Sequence, residues 1–383
     1  MTRITLFSLL LATAITSCNQ KQTTNSKQEK NAVIIEQSDV TLSDLVPKVA
    51  DNKFPLIHFS KNKKVEDKIN TFLEVGNLQH LPGDFKKNPF EKVTKSDGFE
   101  PGSLSFDDYT RHETHANILS LSLNETGTGA YTESFETSYN FDLRTGNPIL
   151  LNNLFTADGL KSITKNVNLS VKQQVEDVLA KLNAPDSKNS PATDGGELDD
   201  EISMYETCLQ GLGDAESEIY SYYFNNDSIT FVIGKCSNHA DMALDELGDF
   251  YIGFPLSAIK QYLSPYGENL LNNENESLTT NTPEGKLYKG FINGKYPISA
   301  MINSIEKDGS FSMYYWYDKT RIPIELNGNF EHQHFSLTES TDINDQYNQT
   351  AKIEANWVDN KKITGTWTNS KTSEVLKLEL VAY

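Results

Sequence analysis

Residues 307–328 read KDGSFSMYYWYDKTRIPIELNG, and their period decides the fold of the C-terminal part. Phe311, Met313, Tyr315 and Tyr317 take every second position, and Ile322, Ile324 and Leu326 do the same after them. A period of two places one set of side chains on one face of a strand, so each run reads as a strand. Asp308-Gly309 and Asn327-Gly328 read as the turns that bound them. The pattern recurs at Ile298, Ala300 and Ile302, at Ile353, Ala355 and Trp357, and at Leu376, Leu378 and Leu380. Asn293-Gly294 and Asp359-Asn360 supply further turn signals. About eight short strands in about one hundred residues predict an all-β antiparallel meander closed into a barrel over residues 285–383. Closure would protect the last strand, which runs to Tyr383, from being an open edge.

Upstream the pattern changes. Residues 272–284 (NNENESLTTNTPE) are polar and read as a linker. Before them, helical and strand periods mix. Val65, Ile69, Phe72 and Leu73 share one helical face, and Leu160, Ile163, Val167, Val171, Val175, Val178 and Leu182 mark the longest helix. Thr156 or Asp158 can cap its start, and Pro185 lies just beyond its end. Leu119, Leu121 and Leu123 alternate, as do Phe135, Tyr139 and Phe141, so both stretches read as half-buried strands. Ile229–Ile233 and Phe250–Phe254 read as strands, with a short helix from Leu256 to Leu263. Without a regular βαβ repeat, residues 42–271 form an α+β domain ahead of the barrel.

The chain's 383 residues are too many for one ordinary core, so two folded domains plus tails are expected. Lys and Arg number 34 against 53 Asp and Glu, a formal charge of -19. Short pairs such as Lys63-Lys64 and Lys86-Lys87 are no basic footprint, so no nucleic-acid partner is expected. Acidity of this size favours a basic protein partner. Residues 1–17 (MTRITLFSLLLATAITS) pair one cation with an apolar run too short to span a bilayer, which reads as a secretory signal peptide. Ile15-Thr16-Ser17-Cys18 resembles the lipobox of bacterial lipoproteins, in which the Cys is acylated and becomes the mature N-terminus. Two or more acyl chains anchor stably where one holds marginally. Residues 18–41 then form a lipidated, flexible tether, and the expected address is the bacterial cell envelope, at the outer membrane. Removing Arg3 leaves 33 cations against 53 anions, about -20. Cys208 and Cys236 remain. In an oxidising compartment they are expected to pair, worth roughly 3 to 4 kcal/mol, with two free buried thiols as the alternative. They lack the C-x-x-C spacing of a metal site.

Ser138-Tyr139-Asn140-Phe141-Asp142-Leu143-Arg144-Thr145-Gly146, followed by Ile149-Leu150-Leu151-Asn152-Asn153-Leu154-Phe155, resembles a segment of the form fNfDlkTGk-itLkDLF. That segment marks a family of envelope domains of largely unknown function. The family includes the lysozyme-binding ectodomain of a transmembrane anti-sigma factor and the accessory domain of certain peptidoglycan deacetylases. Phe254-Pro255-Leu256-Ser257 with Tyr262-Leu263 is similar to the family's closing strand and helix, so the resemblance covers residues 50–266. It implies a non-catalytic binding or sensing role, with a lysozyme-like protein or peptidoglycan as partner. Where the family often has Gly-Gly-Ala-His, this chain has Gly127-Thr128-Gly129-Ala130-Tyr131, so no role of that His carries over. Ile363 to Trp367 (ITGTW) looks like the strand phrase of avidin-like and lipocalin-like barrels, which bears on architecture alone.

Candidate chemistry is sparse. Asp107, Asp108, His112 and His115 form the best available metal cluster, although a polysaccharide deacetylase needs a His-x-x-x-His pair well downstream of its Asp-Asp. His112-Glu113-Thr114-His115 is also one residue short of H-E-x-x-H, and a surface loop is the plainer reading. His332 and His334 would share a face on a strand, but no third ligand accompanies them. Residues 194–201 are acidic without the order of an EF-hand and read as a solvated loop. Tyr131, Tyr314 and Trp316 are the ligand-contact candidates; for the last two, core filling comes first and sugar stacking second. No P-loop, nucleophile elbow or dinucleotide fingerprint is present, and no cofactor is implied. The sequence therefore predicts a lipid-anchored, non-catalytic envelope module. A small-ligand carrier using the barrel interior is the second reading, and an envelope polysaccharide hydrolase or deacetylase with a site not visible in sequence is the third.

Overall fold

Strands β1 (Val40–Asp44) and β2 (Pro55–Phe59) pair antiparallel and pack on helix α1 (Lys63–Leu78). This is a computed structural model describing residues 35–383 apart from 95–101, 116, 130–131, 186–194, 213–218, 220, 239 and 341–348. The signal segment, Cys18, most of the tether, Tyr131 and Asp194 lie outside the described residues. Among the described residues the first element is a 3-10 turn, Gln37–Asp39, slightly ahead of Leu42. α1 forms where the shared apolar face of Val65, Ile69, Phe72 and Leu73 places it, and Asn62 caps it by accepting from Val65 N at 3.2 Å.

A four-stranded meander follows: β3 (Ser103–His112), β4 (Ile118–Thr128), β5 (Thr132–Asp142) and the short β6 (Asn147–Pro148). Helix α2 (Leu151–Leu154) leads into α3 (Ala157–Leu182), the predicted long helix, which Thr156 caps by accepting from Gly159 N at 3.0 Å. Next come α4 (Gly195–Leu212), the sheet β7 (Ser221–Asn225), β8 (Ser228–Ile233) and β9 (Phe250–Pro255), then α5 (Leu256–Ile259) and α6 (Pro265–Leu271).

Two expectations are corrected here. β4 is not half-buried. Leu119, Leu121 and Leu123 enter the core on one face, and Ser120 and Ser122 are buried on the other. That polar face tolerates burial because its groups are satisfied: Ser120 Oγ donates to Asn140 Oδ1 at 2.7 Å and accepts from Phe224 N at 3.1 Å. Residues 195–201 are the start of α4 and not a loop. Glu197 sits in its first turn, where carboxylates complement the helix dipole, and buried Met204 and Tyr205 anchor the helix further along. Cys208 on α4 bonds to Cys236 with a Cα–Cα distance of 5.3 Å, the predicted disulfide.

The barrel comprises β10 (Leu287–Ile292), β11 (Tyr296–Ile305), β12 (Ser310–Tyr317), β13 (Ile324–Glu331), β14 (His334–Ser340), β15 (Gln349–Val358), β16 (Lys362–Asn369) and β17 (Val375–Ala382). They run as an antiparallel meander, and β17 returns to pair with β10. An α+β region followed by a closed eight-stranded barrel is the architecture the alternation implied. Phe311, Met313, Tyr315, Phe335 and Trp357 point inward with the aliphatic residues of the other strands and form one packed cluster. That filling removes support from the carrier reading of the barrel interior.

Asn293 and Gly294 make the β10–β11 turn with φ of 54° and 61°. Asn327-Gly328, however, is no turn: β13 runs through it, and the chain reverses at His332-Gln333, with φ of 49° and 65°. His332 and His334 therefore do not share a strand face. Gly328 is present for closeness, since a Cβ there would lie 2.0 Å from Ser336 O on β14. Gly290 is tighter still, 1.8 Å from Glu379 O on the strand pair that closes the barrel. Gly290→Ala is expected to destabilise the protein by at least about 2 kcal/mol, read as a lowered urea midpoint. A variant unfolding with the wild type contradicts this approach.

The barrel is not a separate body. The outward-facing residues Leu287, Met301, Tyr314 and Trp316 join the same buried cluster as Ile69, Phe72 and Leu73 of α1. Residues 272–284, predicted as a linker, are strapped down: Arg144 Nη1 donates to Glu274 O at 2.9 Å, and Ser277 Oγ donates to Asp142 Oδ2 at 2.8 Å.

Candidate binding cleft

The four sequence-predicted metal ligands do not converge. Asp107 accepts from Ser105 Oγ at 3.0 Å and from Thr126 Oγ1 at 2.6 Å, while Asp108 lies 3.4 Å from Lys53 Nζ. His112 stacks on Tyr223 with ring centroids 4.2 Å apart, holds Ser122 Oγ at 2.8 Å, and is pushed down in pKa by burial. His115 lies 3.7 Å from Asp227. The cause is extended backbone, which separates Asp107 from His112 by roughly 16 Å along β3. Among the described residues no three His, Cys, Asp or Glu side chains are placed to hold a metal ion. Tyr314 and Trp316 are 7% and 4% exposed because their outward face of β12 is covered by the α+β region, so they fill core.

What the fold does assemble is a cationic cleft at the junction of α1 and the barrel. Lys64 and Lys68 project from successive turns of α1. Lys289 comes from β10, and the three ammonium groups converge on the Tyr383 ring at 5.7, 5.4 and 4.5 Å from its centroid. That ring borders a cavity of about 810 Å3, where Glu66, Asp67 and Asp318 accompany the cations. It also borders a cavity of about 410 Å3, lined by Lys64, Lys68, Lys286, Lys361 and Arg144 together with hydroxyl and amide side chains, and by no carboxylate side chain.

The segment that resembles the envelope-domain signature builds one wall of the smaller cavity. Leu143–Gly146 turns between β5 and β6, and Thr145 and Asn147 face the cavity. Gly146 has φ of 77°, and a Cβ there would sit 3.1 Å from both Val65 O and Lys68 Cβ. The turn thus seats directly on α1 beside Lys68. Behind it, Asp142 accepts from Arg144 Nε and Nη2 at 2.8 Å each, fixing the guanidinium.

No family model matches the chain, and no curated protein matches it. Among solved structures it is similar to the crystal structure of a member of the DUF3298 family from Bacteroides fragilis. The two share 17% identity over 59% of this chain and 90% of that chain, with a TM-score of 0.32. No residue role is carried over from it.

Burial lowers Lys68 to about 8, with Lys64 adding repulsion, and burial lowers Lys286 to about 8 as well. Lys286 Nζ donates to Thr280 O at 3.0 Å and lies 5.4 Å from the Trp357 ring. Sequence reading dismissed Lys63-Lys64 as an isolated pair. The i,i+4 spacing of Lys64 and Lys68 was visible, but their meeting with Lys286 and Lys289 depends on the tertiary fold. A second cleft of about 850 Å3 lies between the α3 start and β11. It is largely apolar, around Phe72, Tyr139, Ile149 and Leu160, with Glu284 pushed up to about 7 by burial. The cationic cleft can hold anionic, hydrogen-bonding ligands by charge, amides and hydroxyls.

Proposed function

We propose that this protein is a lipid-anchored, non-catalytic module of the bacterial envelope that grips an anionic, hydroxyl-rich polymer, with peptidoglycan as the ligand. One observation carries the choice: a cluster of cations gathered around Tyr383 in a chain whose net charge is -19. Concentrating positive charge in one concave place raises the local concentration of an anionic ligand there. Peptidoglycan offers carboxylates, hydroxyls and amides together, which match lysine, asparagine and threonine side chains. The N-terminal acylation expected at Cys18 would hold the module at the membrane, within reach of the wall.

A basic, lysozyme-like protein is the second reading, favoured by the acidity of the chain as a whole. Co-sedimentation with purified sacculi, beside a lysozyme pull-down, separates the two at low and high salt. The peptidoglycan reading expects salt-weakened sedimentation with sacculi. Binding to lysozyme alone favours the second reading, and binding to neither removes both.

A further inference from the structure

We propose that the 410 Å3 cavity is a receptor for a single oxyanion, phosphate or carboxylate, carried on a sugar-sized molecule, with Lys68 at its centre. The proposal deepens the reading above and rests on the same cleft being the ligand site.

The argument starts from Lys68. Its side chain is 7% exposed and lines the cavity, yet among the described residues its only hydrogen-bonding neighbour is Asn147 Oδ1, at a long 3.5 Å. An ammonium carries three donors, so this buried cation is far from satisfied. Lys286, also 7% exposed, has one bond among the described residues, to Thr280 O. Burying a cation without a counter-charge is unfavourable, and gathering several multiplies the penalty. The usual remedy is a carboxylate, and the cavity wall has no Asp or Glu side chain. Arg144 is already paired with Asp142, whereas Lys64, Lys68, Lys286 and Lys361 make no ion pair among the described residues. An anion supplied from outside would resolve this arrangement.

Other features agree. The first turn of the 16-residue α1 opens on the cavity through Asn62, Lys64 and Val65, so the positive end of the helix adds to the field. Thr145, Ser277, Thr280 and Asn360 provide neutral hydrogen-bonding groups around the charge. The volume lies within the range of small-molecule sites. The titratable and charged groups facing Lys68 across the cavity are Lys64 from α1, Arg144 from the β5–β6 turn, Lys286 ahead of β10, Lys361 between β15 and β16, and the phenols of Tyr266 and Tyr383. None is an Asp or Glu side chain; Glu66, Asp67 and Asp318 lie with Lys68 on the 810 Å3 cavity instead.

The test titrates the full-length protein, held in detergent, with inorganic phosphate, N-acetylglucosamine 1-phosphate, N-acetylmuramic acid and, as neutral control, N-acetylglucosamine. Calorimetry or tryptophan fluorescence reports binding, Trp357 being the neighbour of Lys286. At least one anionic probe should bind ten-fold or more tightly than the neutral sugar. Preference for the phosphate compounds or for muramic acid tells whether phosphate or carboxylate is the source. Lys68→Met should lose ten-fold or more, Lys64→Gln should lose several-fold, and Lys371→Gln, on the distant β16–β17 turn, should change nothing. Lys64 is exposed, so its variant reads binding even if Lys68→Met alters folding. Equal binding of the neutral sugar, or unchanged affinity in both cleft variants, overturns the proposal. Anion binding without sacculus binding removes the polymer reading and leaves this one standing. Sacculus binding unaffected by either lysine does the reverse.

Discussion

Arg144→Ala is expected to destabilise the protein by about 3–5 kcal/mol, the range for removing one partner of a buried ion pair. Asp142 is 0% and Arg144 4% exposed in their side chains, so neither charge has water to fall back on. Asp142 Oδ2 also accepts from Tyr266 OH at 3.2 Å and Ser277 Oγ at 2.8 Å, while Arg144 Nη1 donates to Asn269 Oδ1 at 2.7 Å. The pair therefore ties the β5–β6 turn to α6 and to residues 274–277, the path from the α+β region into the barrel. Deleting the guanidinium leaves a buried carboxylate with two hydroxyl donors and the Arg144 backbone N–H. Urea unfolding should show the loss. Arg144→Lys should recover only part of it, since an ammonium cannot form the two-pronged contact. An Arg144→Ala protein within about 1 kcal/mol of wild type contradicts this account.

Glu74→Gln is expected to do the opposite, and to do it in a pH-dependent way. Glu74 on α1 is buried, and burial pushes its carboxyl up to about 8, with Asp84 adding repulsion. The neighbouring His80, with Nδ1 3.4 Å from Glu74 Oε2, is pushed down in pKa by burial. A glutamate in the unfolded chain ionises near about 4.3. Between those values the folded protein keeps a proton that the unfolded chain has released. Stability present below about 4.3 is thus lost as pH rises toward 8, by up to about 1.4 kcal/mol per pH unit. Glutamine has no such proton. The variant should match wild type near pH 4 and exceed it by on the order of 4 kcal/mol at pH 9. Denaturant titrations across that range decide it, and an advantage that does not grow with pH counts against a buried neutral carboxyl.

The barrel was legible because strand period is local: Phe311, Met313 and Tyr315 announce one inward face without any knowledge of their neighbours. β10, with Tyr288 and Ile292 inward, and β14, with Phe335 and Leu337 inward, carry shorter runs that gave no separate strand signal. The Asn327-Gly328 turn was misread because a glycine required by a close neighbouring strand has the same letter as one required by a left-handed φ. α4 went unread altogether because two glycines and a run of acids imitate a loop, while the buried residues that hold the helix come later.

The site was hardly legible. Alternation alone puts Tyr314 and Trp316 on the outer face of the barrel, and the docking of α1 there is what buries them. The cleft depends on that same docking, since it joins lysines of α1 to lysines more than two hundred positions later. No local pattern records such a meeting. The signature around Asp142 and Arg144 was visible as a folding element. Its turn, seated against Lys68, is also what shapes the cavity.

The central claim, that the cationic cleft is where an anionic envelope ligand is held, is tested most directly by reversing its charge. Lys64 and Lys289 are both exposed, so Lys64→Glu with Lys289→Glu should leave the unfolding midpoint close to wild type. Sedimentation of that double variant with sacculi should fall at least ten-fold, and a variant that sediments like the wild type contradicts the account.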